Sequence, residues 1–118
     1  MNTRRAAFTI LEIMLVVSII GLLAALAVPR FLKARTGAQT NVCVNNLRQI
    51  DSAKTMHAIE TRKATGSSVE PDALDPYMKQ PFARLEEPAS GEYEVNLIGE
   101  NPSCTIGGEH TLAPATAP

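Results

Sequence analysis

Two cysteines and two histidines are the side chains best equipped for chemistry in this chain of 118 residues, and they stand far apart in sequence: Cys43, His57, Cys104 and His110. Two thiolates and two imidazoles can hold a tetrahedral zinc ion, but the closely spaced cysteine pairs that mark zinc modules are missing. In a segment lying outside the cytoplasm, one disulfide between Cys43 and Cys104 is the simpler reading, and closing so long a loop contributes about 4 kcal/mol in the chain-entropy description. Free buried thiols are the third reading. A Cys–His nucleophile is not indicated, because no motif sets an orienting residue or an oxyanion donor beside either cysteine. Asp72, Asp75, Glu86 and Glu87 offer oxygen ligands for calcium. They lack an ordered ligand spacing and read better as a solvated acidic loop. Gly107-Gly108 belongs to no phosphate-binding pattern. The sequence therefore assigns no catalytic residue, no cofactor and no metal.

Glu12 is the other chemically marked residue. It is the single charge in FTILEIMLVVSIIGLLAALAV, the 21 residues 8–28. As a helix, a block of this length reaches roughly 30 Å, enough to cross a bilayer. A carboxylate inside such a span costs roughly 2.5 to 3.5 kcal/mol on insertion scales and normally has a partner. Either Glu12 snorkels to the interface from near the helix start, or it meets a positive group supplied by another subunit. Arg4 and Arg5 suit a cytoplasmic N-terminus. Arg30, Lys33 and Arg35 lie as close on the other side, so charge counting leaves the orientation open.

The string AFTILEIMLVVSIIGLLAALAVPRF, preceded by MNTRRA, resembles the N-terminal segment of type IV prepilins and pseudopilins. Phe8, Glu12 and Pro29 stand where that family has its post-cleavage Phe, its Glu four positions later and the Pro closing the apolar block. The resemblance implies cleavage by a prepilin peptidase between Ala7 and Phe8, and methylation of the new Phe8 amine, which keeps its charge. It further implies that Glu12 meets the Phe8 amine of a neighbouring subunit and fixes axial register, an unpaired Glu12 being heavily penalised in the filament core. Ala7 departs from the Gly most often found there, although the side chain is still small.

The implied function is structural: a subunit of a type IV pilus-like or type II secretion pseudopilus filament, single-pass in a bacterial inner membrane, with its head periplasmic or on a surface fibre. The implied partners are further copies of the chain, pilin-like minor subunits, the peptidase, an inner-membrane platform and a cytoplasmic ATPase. The small head leans toward a pseudopilin or minor pilin. Two rivals share the apolar block. One is an ordinary secretory signal ending at Ala25-Leu26-Ala27, against which Glu12 and the length of the block argue. The other is an anchor or export segment for a periplasmic binding module. The first residue of the mature chain separates the three: Phe8, Val28 or Met1.

Positioning these residues requires an α+β, pilin-like fold, a long N-terminal helix laid on a small antiparallel sheet. The expected organisation is a leader at 1–7, a membrane-spanning and filament-core helix at 8–29, its amphipathic continuation at 30–65, a small head at 66–112 and a disordered tail at 113–118. Pro29 is expected to kink or interrupt the helix, with a soft spot at Gly37. Cys43, Leu47, Ile50 and His57 form the best apolar stripe, which Lys54 interrupts. Gly66-Ser67-Ser68 reads as the helix stop, and 71–78 as a short helical turn packing through Leu74, Tyr77 and Met78. Alternation of Tyr93, Val95 and Leu97 with polar residues predicts a strand at 92–98. A second strand follows at 103–106, with Cys104 and Ile106 on one face. A Gly107-Gly108 hairpin then leads to a third strand at 109–112. A helix crossing this sheet lets Cys104 approach Cys43.

Formal net charge is −1, which gives no basic excess for nucleic-acid binding. Its distribution is polarised: residues 30–63 carry seven basic and two acidic side chains, and those beyond Gly66 two basic and nine acidic. The basic helical stretch reads as a solvated face or as a contact for the acidic heads of adjacent subunits.

Overall fold

The computed structural model describes residues 7–112, which divide into two units between Thr36 and Gly37. The leader 1–7, apart from Ala7, and the tail 113–118 lie outside the described residues. Helix α1, Ile10–Thr61, contributes to both units.

In the first unit, α1 starts behind Thr9, whose Oγ1 accepts the Glu12 N–H at 3.2 Å. This is half of a capping box, and it places Glu12 in the first turn, where a negative charge favours the helix dipole. Ser18 and Thr36 donate their hydroxyls to the carbonyls of Met14 and Leu32 one turn back, so neither polar group is left unsatisfied in an apolar segment. Every large apolar side chain among the described residues of this unit is exposed. The helix is long and apolar enough to cross a membrane. Pro29 lies within α1, which is helical on both sides of it, so the expected interruption does not occur. Proline deletes one N–H donor, while the bonds of the neighbouring turns remain available. Gly37 is likewise accommodated within α1.

In the second unit, Cys43, Leu47, Ile50, Ala53, Lys54 and His57 form one buried stripe on α1. Lys54 does not interrupt it. Its Nζ donates to the carbonyls of Val95 at 2.8 Å and Glu100 at 2.5 Å, which satisfies the ammonium inside the fold. The helix ends at Thr61 rather than at the Gly66 cluster. Arg62 turns left-handed at φ 53°, and Lys63 N–H donates to the Ala58 carbonyl at 3.1 Å, the six-to-one bond of a Schellman stop.

Beyond the helix, the 3₁₀ turn Pro71–Tyr77 buries Leu74 fully and packs Tyr77 and Met78 against the core. Asp75 accepts the Phe82 N–H at 2.7 Å and so sets the second 3₁₀ turn, Phe82–Arg84. The sheet is antiparallel and two-stranded, β1 (Tyr93–Glu94) with β2 (Ser103–Cys104), Tyr93 facing Cys104. It is smaller than the alternation at 92–98 predicts. Asn96 adopts φ 56° and donates to the Asn101 carbonyl and Ser103 Oγ, which ends β1 and reverses the alternation: Val95 and Ile98 are buried, while Leu97 is exposed. β2 likewise stops at Cys104, leaving Ile106 exposed rather than on the buried face. No third strand forms at 109–112 among the described residues. Gly107 and Gly108 both take positive φ, and His110 N–H donates to the Gly107 carbonyl at 3.1 Å, so this segment closes as a turn. Leu74, Leu85, Val69, Val95, Ile98 and Cys104 complete the core over the helix stripe.

Candidate functional site

Four segments of the second unit converge on one buried point. Cys43 is presented by the buried stripe of α1. Glu87 follows the Phe82–Arg84 turn, after Leu85 has anchored that segment in the core. Cys104 is held by β2, and His110 by the turn after Gly107-Gly108. All four residues are buried, and one ligand atom from each lies within 4.8 Å of the others.

The residues around them fix the rotamers. Glu87 Oε2 accepts the N–H groups of Ala89 at 2.6 Å and Gly91 at 3.0 Å. Gly91 is needed for close approach, since a Cβ there would fall 2.7 Å from Ile106 Cγ1. His110 Nε2 and Thr40 Oγ1 are 3.1 Å apart, and the tautomer protonated at Nε2 donates to Thr40 and turns the Nδ1 lone pair inward. Thr40 precedes Cys43 by three residues, on the same helix face. Gln39 Nε2 donates to the Pro88 carbonyl at 3.0 Å, tying the Glu87 turn to α1. Tyr93 accepts a hydrogen bond from Asn46 Nδ2 at 2.9 Å.

Glu87 Oε1 and His110 Nδ1 approach to 3.2 Å, with the Glu87 side chain fully shielded from solvent. The two face each other as an ion pair without hydrogen-bond geometry. Burial pushes the Cys43 thiol up to about 12, and the neighbouring Cys104 and Glu87 add to the shift. Burial also works against the Glu87 carboxylate, but the N–H groups of Gly91 and Ala89, the Cys43 thiol and His110 outweigh it, leaving the group below its ordinary value. The centre thus favours an anionic Glu87 carboxylate and a protonated Cys43 thiol.

Of the residues singled out from the sequence, Cys43 and Cys104 are brought together, as free thiols. His110 joins them. His57 does not, because it lies 14 residues along α1 from Cys43, about 21 Å of helix. It makes an edge-on contact with Tyr77 instead, ring centroids 5.8 Å apart. Glu87 is the member that the sequence concealed among its acidic neighbours. The cue was the Pro88-x-x-Gly91 frame directly after it, a turn whose N–H groups fold back onto the preceding carboxylate. Asp72, Asp75 and Glu86 are not part of the cluster.

The positions that the sequence suggests for processing and assembly, Phe8 and Glu12, lie elsewhere. Phe8 is 78% exposed just ahead of α1, and Glu12 is exposed in its first turn, surrounded by exposed Ile, Leu, Met and Val. A surface this apolar cannot remain in water, so lipid or other protein must cover it.

Comparison with known proteins gives a consistent direction. The chain is 40% identical over 53 residues to the type IV major pilin protein PilA of Myxococcus xanthus, a match that takes in 45% of this chain and 24% of that protein. The chain therefore matches about a quarter of the relative's length. No family model matches it, and no solved structure matches it significantly. This similarity, the long apolar helix and the α+β architecture fit a pilin-like family.

Proposed function

We propose that the chain is a structural, non-enzymatic subunit of a type IV pilus-like filament, held in the membrane by the first half of α1 before assembly. The observation that carries this reading is the Glu12-bearing helix, exposed along its whole apolar length, in a chain similar to a type IV major pilin. A helix apolar on all sides must be enclosed by something outside its own fold. Lipid serves before assembly and neighbouring copies of the same helix serve afterwards.

In this reading a prepilin peptidase cuts between Ala7 and Phe8 and methylates the Phe8 amine. Glu12 of one subunit then pairs with the Phe8 ammonium of the next. In the low dielectric of the helix bundle the pair is worth forming mainly because either charge alone is expensive. The pairing therefore selects register more than it adds affinity. An assembly ATPase and an inner-membrane platform supply the work, and pilin-like minor subunits share the filament. The head, outside the cytoplasm, decorates the filament surface.

The test is the N-terminus of the mature protein recovered from membranes and from sheared filaments. An N-methylated Phe8 is the expected first residue. A chain beginning at Val28 means that the apolar block is a discarded secretory signal, and one beginning at Met1 means that it is an anchor; either result overturns the proposal.

A further inference from the structure

We propose that Cys43, Glu87, Cys104 and His110 form a structural site for a zinc-type divalent metal ion, which clamps the loops of the head to helix α1. The inference concerns the head alone and does not depend on the filament reading. Its starting point is convergence: four potential ligands from four separate stretches of chain, all buried, with ligand atoms within 4.8 Å of one another. In a tetrahedral site with metal–sulfur bonds near 2.3 Å and metal–nitrogen and metal–oxygen bonds near 2.1 Å, the ligands lie about 3.3 to 3.8 Å apart. The widest separations reach that range by a contraction of about 1 Å, and the 3.2 Å between Glu87 Oε1 and His110 Nδ1 lies just short of it.

The second observation is that these two atoms, buried in the cluster that holds both thiols, meet only as a 3.2 Å contact without hydrogen-bond geometry. Buried polar atoms rarely go unsatisfied, and each one costs about 1 to 3 kcal/mol when it does. A disulfide between Cys43 and Cys104 would engage the sulfurs and leave carboxylate and imidazole as they are. A cation uses all four. The atoms behind the ligands are arranged as outer-shell partners of a metal site: Thr40 holds His110 by the nitrogen that points away, and the amides of Ala89 and Gly91 hold the second oxygen of Glu87.

Donor chemistry selects the ion. Two sulfurs, one imidazole and one carboxylate suit a borderline-soft cation such as Zn²⁺ and do not suit calcium or magnesium, which take oxygen. With four protein ligands no position is left open for water, so the site is structural rather than hydrolytic. Binding replaces both thiol protons, which leave to solvent as Zn–S bonds form. Nothing is oxidised or reduced.

The experiment uses the full-length chain without a polyhistidine tag, extracted from membranes in detergent with no chelator. Elemental analysis is expected to give about one zinc per chain, and the denatured protein two reactive thiols. Metal-free protein titrated with Co²⁺ alone is expected to develop tetrahedral d–d absorption and sulfur-to-cobalt charge-transfer bands, absent in Cys104→Ser. Since Cys104→Ser can disturb the fold, Glu87→Gln is read beside it. Glutamine keeps an acceptor for Ala89 and Gly91, and about tenfold weaker Co²⁺ binding with an unchanged circular dichroism spectrum is expected. The proposal is overturned by an intact mass two hydrogens short with no bound metal, which is the disulfide. Reduced thiols that fail to give the cobalt bands overturn it equally, as does zinc retained in full by a Cys43→Ser, Cys104→Ser double variant.

Discussion

Helix α1 is one element with two kinds of surface. Over residues 10–36 no side chain is buried, whereas between Cys43 and His57 six are, three of them fully shielded from solvent. Both stretches form helix, but for different reasons. The second is amphipathic and is stabilised by the head that it carries, the usual source of helix stability in a folded domain. The first is apolar on all sides as far as Val28 and suits a low-dielectric surrounding, where internal backbone hydrogen bonding is obligatory. The difference separates what the chain does for itself from what it leaves to other molecules: folding belongs to the second stretch and, in the proposed reading, location and assembly belong to the first.

The comparison breaks most visibly at Glu12. Under the assembly reading Glu12→Ala abolishes filaments, scored by electron microscopy of sheared material, yet leaves the thermal unfolding of the head unchanged. Normal filament yield from that variant would remove the first stretch's assigned role. Next in size, Leu47→Ala is expected to destabilise the head by about 2 to 5 kcal/mol in chemical denaturation, because Leu47 is wholly buried. The same truncation at exposed Leu15 should leave that transition where it was.

Lys54→Met is expected to cost about 1 to 3 kcal/mol, since the carbonyls of Val95 and Glu100 lose their donor. Burial lowers the Lys54 pKa below 10.5, against the smaller opposing pull of Asp51 and Glu100. The folded state therefore binds this proton less tightly than the unfolded chain does. The linked contribution is complete above pH 10.5 and is lost as pH falls through the lowered folded value. Relative to Lys54→Met, the wild type should gain stability as pH rises toward 10.5, measured as the shift in denaturation midpoint. The smallest effect is expected at the helix stop. Arg62→Gly relieves a left-handed backbone at φ 53° and should raise stability by up to about 1 kcal/mol in the same denaturation measurement.

The α+β class, the apolar span and the packing residues Cys43, Leu47, Ile50, Leu74 and Tyr77 were legible because each rests on local periodicity or on a run of one composition. What escaped depended on partners distant in sequence. Lys54 looked like a break in the stripe, because the carbonyls that receive it lie 41 and 46 residues away. Glu87 looked like one more solvated acid, because its burial requires the turn at 88–91 to fold back on it. The strand at 92–98 was overextended for the opposite reason. Its alternation is real in sequence, but a left-handed Asn96 with side-chain bonds of its own ends the ladder after two residues. Pro29 does not interrupt α1, because a single missing donor leaves the bonds of the neighbouring turns intact.

The bond from Gln39 to the Pro88 carbonyl has a kinetic meaning. The bend it fastens is the same bend that delivers Glu87, so docking and delivery are a single event. If the proposed metal site holds, a molecule whose 85–91 segment is still loose offers a cation three donors instead of four, and such a molecule should be the one that proteases find first.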